Sequence, residues 1–311
     1  MKMEGHTPIV LDPAGVQATA YPRAMRMGSD AEREQAAALN EGLPEVDFEG
    51  RSNPYLDYSS IDLLLSLQYP RSSGHDEMCF IIMGQVKELL FKALHYELFN
   101  AKRQIEANEV PGALEILKRA EAIMVYIGRS WDVLSTISPA GFKVFRDFLG
   151  AASGQLSFMY RHVEFVLGNK NVRLATAHRN LPHIWPAIQD SLNEPSIWDA
   201  VGALLSRRGH AIAPECLSRD WSLPYRADPS VEAAWLKVYA DPTARNDLYL
   251  LGEGLIAFSD AFSQYRYRHF TSVERIIGMK PGTGGSAGVG WLRAVVDQRI
   301  FPELWTVRTR L

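Results

Sequence analysis

Two long stretches without proline limit the folds that this sequence can adopt. The first covers residues 76–107 and the second covers residues 244–277, where Gly278 follows as a residue that commonly ends helices. The apolar side chains of the first stretch recur at Phe80, Met83, Val86, Leu90, Leu94 and Leu98. Because this is the spacing of one face of a helix, both stretches are predicted to be long helices.

The rest of the chain extends the helical prediction. Further helices are predicted over residues 30–39, 61–68, 111–134, 140–149, 153–167, 231–239 and 291–296. Residues 173–225 are predicted to mix short helices and loops. Few segments alternate between apolar and polar residues, which is the pattern of a β-strand, and no dipeptide typical of a hairpin turn lies between such segments. The predicted fold class is therefore all-α, a single large helical bundle.

The first 50 residues differ from the remainder. They are rich in glycine, alanine, proline and charge, and their apolar residues have no sustained period. We expect residues 1–50 to be a flexible, poorly ordered lead-in and residues 51–311 to be one helical domain. The first 22 residues lack a continuous apolar run after a basic start, so no secretory signal is predicted.

Composition excludes several classes of protein. The 33 Lys and Arg residues are balanced by 36 Asp and Glu residues. Because the chain has no excess of positive charge, nucleic-acid binding is not predicted. The sequence contains no apolar stretch of about 18 residues, so no membrane span is predicted. The two cysteines, Cys79 and Cys216, cannot form a disulfide framework or a four-cysteine zinc site. We expect buried thiols in a reducing cytoplasm, and therefore a cytoplasmic protein.

Two basic side chains on predicted helices are candidates for a binding site. His269 lies late in the second long helix among Arg266, Arg268 and Arg275. A lone histidine is most often a surface or core residue, but one histidine with nearby arginines also suits a haem iron and its propionates. Arg161 lies on a largely apolar helix, where an arginine either pairs with an acid or binds the carboxylate of a ligand.

Glycine and aromatic residues supply further candidates. Gly84 lies inside the first long helix, where it costs about 1 kcal/mol relative to alanine; it allows either close helix packing or room for a ligand. Tyr55 and Tyr58 are either core residues or part of an aromatic pocket. The loop of residues 281–290 is rich in glycine and contains Thr283. It is either a connector or an anion-binding loop, and the lack of a βαβ unit disfavours a dinucleotide site.

In combination, these motifs resemble the tryptophan 2,3-dioxygenase family, a haem-dependent family of all-α oxygenases. The matching stretches occur in one order across residues 53–308. They include Tyr55-Leu-Asp-Tyr58, His75-Asp-Glu-Met-Cys-Phe-Ile-Ile82, Glu88-Leu-Leu-Phe-Lys92, Tyr160-Arg161, Leu167-Gly-Asn-Lys-Asn171, Arg266-Tyr-Arg-His269 and residues 278–290.

The resemblance implies a haem b cofactor and a set of site residues. His269 matches the axial ligand of the haem iron, and Gly168 is assigned to cofactor binding. Arg161 matches the arginine that binds the substrate carboxylate, and Thr283 matches the threonine near the substrate ammonium and carboxylate. The aromatic positions around the indole are matched by Phe80, Tyr55 and Tyr58. The resemblance also implies a homotetramer in which the N-terminal segment reaches a neighbouring active site.

The sequence departs from the family where substrate and oxygen should meet. The family has a distal histidine followed by glutamine, and here the pair is Gly84-Gln85. The predicted function is therefore oxygenation by O2 at C2 or C3 of the indole ring of L-tryptophan, or of a substituted, for example methylated, tryptophan. Insertion of one oxygen atom would give an oxindole-type product, and insertion of two would give an N-formylkynurenine-type product. A biosynthetic role in secondary metabolism is favoured.

Three other functions remain open from the sequence. The first alternative is a standard tryptophan 2,3-dioxygenase of the kynurenine pathway. The second is a haem- or ligand-binding protein without turnover, and the third is a helical nucleotide-binding protein that uses the glycine-rich loop. Loss of the distal histidine motivates the second, whereas Arg161 and Thr283 oppose it.

Overall fold

The computed structural model describes residue 23, residues 27–48 and residues 53–311. Within these residues every regular element is a helix and no strand occurs. The all-α prediction is confirmed. The absent signal was predicted for residues 1–22, which lie outside the described residues, and the flexible lead-in was predicted for residues 1–50, of which only residue 23 and residues 27–48 are described. The predicted boundary between residues 50 and 51 also lies outside them, so the domain division stays a prediction.

Backbone contacts divide the chain into two units, Met1–Tyr69 and Pro70–Leu311. The described part of the first unit contains helices α1 (Asp30–Leu39), α2 (Pro54–Ser59) and α3 (Ile61–Leu65). The helix predicted over residues 61–68 ends at Leu65. Its last carbonyls are satisfied by side chains, because the Ser66 hydroxyl donates to the oxygen of Leu63 at 2.7 Å and the Gln68 amide donates to that of Leu64 at 2.8 Å.

The second unit contains the two predicted long helices and ten shorter or intermediate ones among its described residues. They are α4 (His75–Glu106), α5 (Val110–Leu134), α6 (Pro139–Arg146), α7 (Phe158–Val166), α8 (Val172–Ala175), α9 (Trp185–Asn193), α10 (Ile197–Arg207), α11 (Pro214–Leu217), α12 (Pro229–Tyr239), α13 (Asp247–Ile277), α14 (Val289–Val296) and α15 (Pro302–Thr306). Short 3-10 turns occupy Asp147–Leu149, Gly154–Leu156, Thr176–His178 and Val307–Thr309.

Three long helices form the centre of the second unit. Helix α5 packs against both α4 and α13, while α7 and α10 pack against α4. Their facing side chains are almost completely buried. Examples are Leu94, Leu98, Leu117, Met124, Leu255 and Phe262. The apolar spacing that predicted the long helices therefore marks the faces that these helices bury.

Two details of the second unit differ from the prediction. The helix predicted over residues 153–167 is interrupted at Ser157, whose backbone is extended and whose hydroxyl accepts from the amide of Tyr160 at 3.0 Å. This serine caps α7 and separates it from the preceding 3-10 turn. Helix α15 was missed because five residues are too few to show a period. Of the helices that the described residues form, none has the length and apolar character needed to cross a membrane.

Candidate active site

A cavity of about 390 Å³ lies inside the second unit. Its wall is formed by α4, α5, α6, α7, α13 and α14 and by the loop between α13 and α14. Five of the residues selected from the sequence line it, although up to 203 positions separate them in the chain. They are Phe80, Gly84, Arg161, His269 and Thr283. This volume falls within the range of small-molecule and cofactor sites.

Four other selected residues do not line this cavity. Gln85 and Gly168 are absent from its described wall. Gly168 follows α7 with a φ of +90°, and a β-carbon there would lie 3.2 Å from the Ser196 hydroxyl. Its predicted role in cofactor binding stays a prediction, while the predicted helix end is observed. Tyr55 and Tyr58 belong to the first unit, where both side chains are exposed.

His269 is held against the indole ring of Trp131. The two rings are nearly parallel, with centroids 4.3 Å apart and planes 12° apart. Burial, reinforced by the charge of Lys87, lowers the pKa of His269 to about 3. The imidazole is therefore neutral at physiological pH, which is the form that binds a metal ion. Trp131 was not selected from the sequence, because its contact with His269 joins α5 to α13.

Arg161 is buried on α7 and anchored by Glu164. Its Nη1 lies against the Glu164 carboxylate, and the other oxygen of that carboxylate accepts from Arg266 Nη2 at 2.9 Å and from Asn169 Nδ2 at 3.0 Å. Nε of Arg161 has no hydrogen-bond partner among the described residues, and Nη1 has none apart from its ion-pair contact with Glu164. The ion pair therefore fixes the guanidinium but leaves donors for a ligand carboxylate.

The arginines near His269 have different roles from those expected. Arg266 is buried, lines the cavity and donates to the carbonyl of Gln298 at 3.0 Å. Arg268 instead pairs with Asp132 at 2.6 Å, where both side chains are largely exposed. Neither Glu164 nor the buried position of Arg266 was predicted. The i, i+3 spacing of Arg161 and Glu164 was the signal available in the sequence.

The glycine-rich loop packs on the segment before α7. Thr283 donates its hydroxyl to the carbonyl of Ala152 at 2.6 Å. A β-carbon at Gly284 would lie 2.8 Å from the β-carbon of Ser153. The small residues therefore allow the loop to approach this segment closely. The Thr283 oxygen keeps a lone pair for the ammonium group of a ligand.

Phe80 and Gly84 are one helical turn apart on the α4 wall. Phe80 packs on Phe145 with ring centroids 5.3 Å apart and on Phe142 at 6.0 Å. Apart from its chain neighbours and the backbone of its own helix, no described atom lies within 4 Å of a β-carbon built at Gly84. Close packing of another helix, one of the two explanations of this glycine, is therefore wrong for the described residues. Gly84 leaves space at the cavity wall.

An all-helical fold around an apolar cavity, with a neutral imidazole and an anchored guanidinium on its wall, is suited to a protein that encloses a small ligand carrying an anionic group. Comparison with known sequences identifies the family to which the chain belongs. The profile of the family described as tryptophan 2,3-dioxygenase matches residues 41–239 and 232–311. The chain belongs to the tryptophan 2,3-dioxygenase family, whose members are haem-dependent oxidoreductases.

The similarity to individual relatives extends over most of the chain. Proteins named tryptophan 2,3-dioxygenase from Burkholderia pseudomallei strains 1106a and 1710b are each 46% identical over 267 residues, which cover 86% of this chain and 87% of theirs. One from Burkholderia mallei strain SAVP1 is 45% identical over the same length. The resemblance inferred from the motifs is thereby confirmed.

The residues on the cavity wall fit a haem group. His269 offers one neutral nitrogen ligand, and within the described part of the chain no cluster of three or more His, Cys, Asp or Glu side chains could hold a metal ion by itself. A metal at this cavity therefore needs ligands from a prosthetic group. Lys87, Arg146, Arg161 and Arg266 also line the cavity, with Glu88 as the only acid among its described lining residues. This excess of cations suits an occupant with carboxylates.

Proposed function

We propose that this chain catalyses haem-dependent oxygenation of the indole ring of L-tryptophan, or of a substituted tryptophan such as a methylated one, with O2 as oxidant. The observation that carries this proposal is that Arg161, His269 and Gly84 line one cavity. The first two suit an amino-acid substrate and an iron-bearing cofactor. The third leaves room beside them.

Different cavity residues bind different groups of the substrate and the cofactor. Arg161 binds the substrate carboxylate through its unpaired donors, and the Thr283 oxygen accepts from the substrate ammonium. Phe80 and the surrounding apolar wall pack on the indole and exclude water. His269 holds the haem iron, and haem, when bound, supplies the metal at which O2 is activated.

Gly84 is the basis for proposing a substituted substrate or an altered product. Glycine has no side chain to accept a hydrogen bond from the indole N–H or to polarise oxygen, and the space around its α-carbon accepts an additional methyl group. Dioxygenation at C2 and C3 incorporates both oxygen atoms and needs no reductant. Monooxygenation incorporates one atom and reduces the other to water with two electrons and two protons from an external two-electron donor.

A standard tryptophan 2,3-dioxygenase of the kynurenine pathway is the second candidate. Its support is the name and the 46% identity of the Burkholderia relatives. A protein that binds haem without turnover has less support, because Arg161 and Thr283 both line the cavity and offer polar groups to an amino-acid substrate. The homotetramer, the contribution of the N-terminal segment to a neighbouring site, the cytoplasmic location and the role in secondary metabolism stay predictions.

Product analysis with ¹⁸O2 tests the proposal. The haem-loaded protein is supplied with tryptophan, β-methyltryptophan and ring-methylated tryptophans, with and without an external reductant. We expect labelled product, with a mass gain of two labelled atoms for dioxygenation or one for monooxygenation. Exclusive dioxygenation of unsubstituted tryptophan would favour the kynurenine-pathway enzyme. Haem binding without any product would favour the protein without turnover.

A further inference from the structure

Lys87 is a buried cation that the proposed function has not used. It lies on α4 one turn after Gly84, lines the cavity and is 8% exposed. Its ammonium nitrogen lies 3.2 Å from the centre of the Trp131 ring. Among the described residues, no carboxylate forms an ion pair with Lys87 and no acceptor forms a hydrogen bond with its ammonium group.

Neither nearby acid pairs with Lys87. The carboxylate of Glu88 also lines the cavity and accepts from the Ser157 hydroxyl and the Met159 amide, while its Oε2 is buried and has no hydrogen-bond partner among the described residues. Glu164 serves Arg161 and Arg266. Glu164, Arg161 and Arg266 therefore have charged partners within the protein, whereas Lys87 contacts only the face of an aromatic ring.

A buried ammonium without an anion is costly to the folded protein. Its contact with Trp131 offsets part of this cost, because the face of an indole ring attracts cations. The same burial lowers the pKa of Lys87 to about 7, because a desolvated site stabilises the charged form poorly. An anionic ligand in the cavity would supply what the described residues do not.

We propose that Lys87 binds a carboxylate of the molecule that fills this cavity, at a second carboxylate site separate from Arg161. This inference rests on the proposed function, which brings carboxylates into the cavity from two sources. One source is a propionate of the porphyrin, and the other is the carboxylate of the amino-acid substrate. An ammonium recognises either group by charge and hydrogen bonds.

Porphyrin titration tests the first source without relying on activity. The full-length chain is titrated with metal-free protoporphyrin IX and with its dimethyl ester, and binding is followed by porphyrin emission and quenching of protein fluorescence. Lys87→Met removes the charge at similar volume, Lys87→Arg retains it, and Lys92→Met changes an exposed lysine of the same helix. Thermal unfolding of each variant checks that it is folded.

We expect Lys87→Met to bind the diacid about tenfold more weakly than the unmodified protein and to bind the dimethyl ester equally well. Lys87→Arg should retain most of the affinity, and Lys92→Met should retain all of it. If Lys87→Met weakens diacid and ester alike, the lysine acts through packing and the proposal is wrong.

A second titration tests the substrate as the source. The haem-loaded proteins are titrated with tryptophan and with tryptamine, which lacks the carboxylate. If Lys87→Met leaves both porphyrins unaffected but weakens tryptophan selectively, the carboxylate is that of the substrate and the proposal holds. If neither titration shows a carboxylate-selective loss, Lys87 does not bind a carboxylate. Failure of the unmodified protein to bind porphyrin or tryptophan would instead refute the proposed function, and this inference with it.

Discussion

Trp131 of α5 lies flat against His269 of α13, with ring planes 12° apart and centroids separated by 4.3 Å. This contact limits rotation of the imidazole without a hydrogen bond from the indole. The orientation of the histidine therefore depends on the packing of α5 against α13, the most extensive helix pair of the second unit.

Replacing Trp131 should loosen His269 and weaken haem binding. We expect Trp131→Leu to raise the Kd for ferric haem roughly tenfold, since groups that orient a metal ligand contribute about this much. A Soret titration measures the affinity and reports the axial ligation. Tyr126→Leu, at an exposed position of the same helix, is the control and should leave both unchanged. An unaltered affinity in Trp131→Leu would show that the stacking does not position the ligand.

Removing His269 should remove the axial ligand of the iron. His269→Ala is expected to lose the Soret maximum of histidine-ligated ferric haem, and added imidazole should restore it by entering the space left by the side chain. His183→Ala changes an exposed histidine and is the control. Histidine-type ligation that persists in His269→Ala without added imidazole would assign the ligand to another residue.

Glu164 should matter for both stability and substrate binding, because it lies between two buried arginines. Glu164→Gln leaves Arg161 and Arg266 without a counter-charge, and loss of one partner of a buried ion pair costs about 3–5 kcal/mol. Urea unfolding measures this cost. Tryptophan affinity should fall more than tryptamine affinity, because Arg161 is no longer anchored.

Glu97→Gln provides the surface comparison for Glu164→Gln. Glu97, whose side chain is 16% exposed, pairs with Arg119, whose side chain is 61% exposed, and ion pairs open to solvent contribute about 0–1 kcal/mol. Equal stability losses in the two variants would contradict the distinction between the buried and surface ion pairs. Equal losses of tryptophan and tryptamine affinity in Glu164→Gln would contradict its role in anchoring Arg161.

Two glycines inside long helices should respond oppositely to alanine. At Gly84 a β-carbon meets nothing within 4 Å, so Gly84→Ala should stabilise the protein by about 0.5–1 kcal/mol through helix propensity. At Gly252 a β-carbon would lie 2.9 Å from the Trp235 ring and 3.1 Å from the Tyr239 hydroxyl, so Gly252→Ala should destabilise it. Chemical denaturation measures both changes. Destabilisation by Gly84→Ala would mean that the space beside it is not open.

His162 should make the protein less stable at acid pH. Burial, reinforced by His95 and His178, lowers the pKa of His162 from 6.5 to about 4, and its Nδ1 contacts the Ser191 hydroxyl at 2.6 Å. The unfolded chain thus binds the proton more readily than the folded chain. The free energy of unfolding contributed by this histidine therefore decreases as the pH falls from 6.5 to about 4.

Denaturation at several pH values tests this contribution. His162→Gln should lose less stability than the unmodified protein between pH 6.5 and about 4. His183→Gln, at an exposed position, should lose as much as the unmodified protein. Parallel pH profiles for His162→Gln and the unmodified protein would exclude His162 as a source of the acid sensitivity.

The helices were largely predictable because their signals are local. Apolar spacing placed α4 within one residue of its observed ends, and Gly278 marked the end of α13. Helix α7 was misjudged at its start because Ser157 acts there as a cap, and a capping serine looks like any other serine inside an apolar run. The 61–68 helix was overextended for a similar reason, since side chains of Ser66 and Gln68 take the last carbonyls of α3.

For the active site, the sequence determined which groups are present and the family to which they belong. It supplied His269, Arg161 and the absence of an imidazole at Gly84. Only the tertiary structure decided that Trp131 orients His269, that Glu164 anchors Arg161, and that Lys87 faces the cavity without an anion. These relationships join helices far apart in the chain, and burial then determines charge. From the sequence alone, Lys87 is indistinguishable from a solvated surface lysine. Its burial beside the indole ring of Trp131, where no anion pairs with it, is visible only in the tertiary structure.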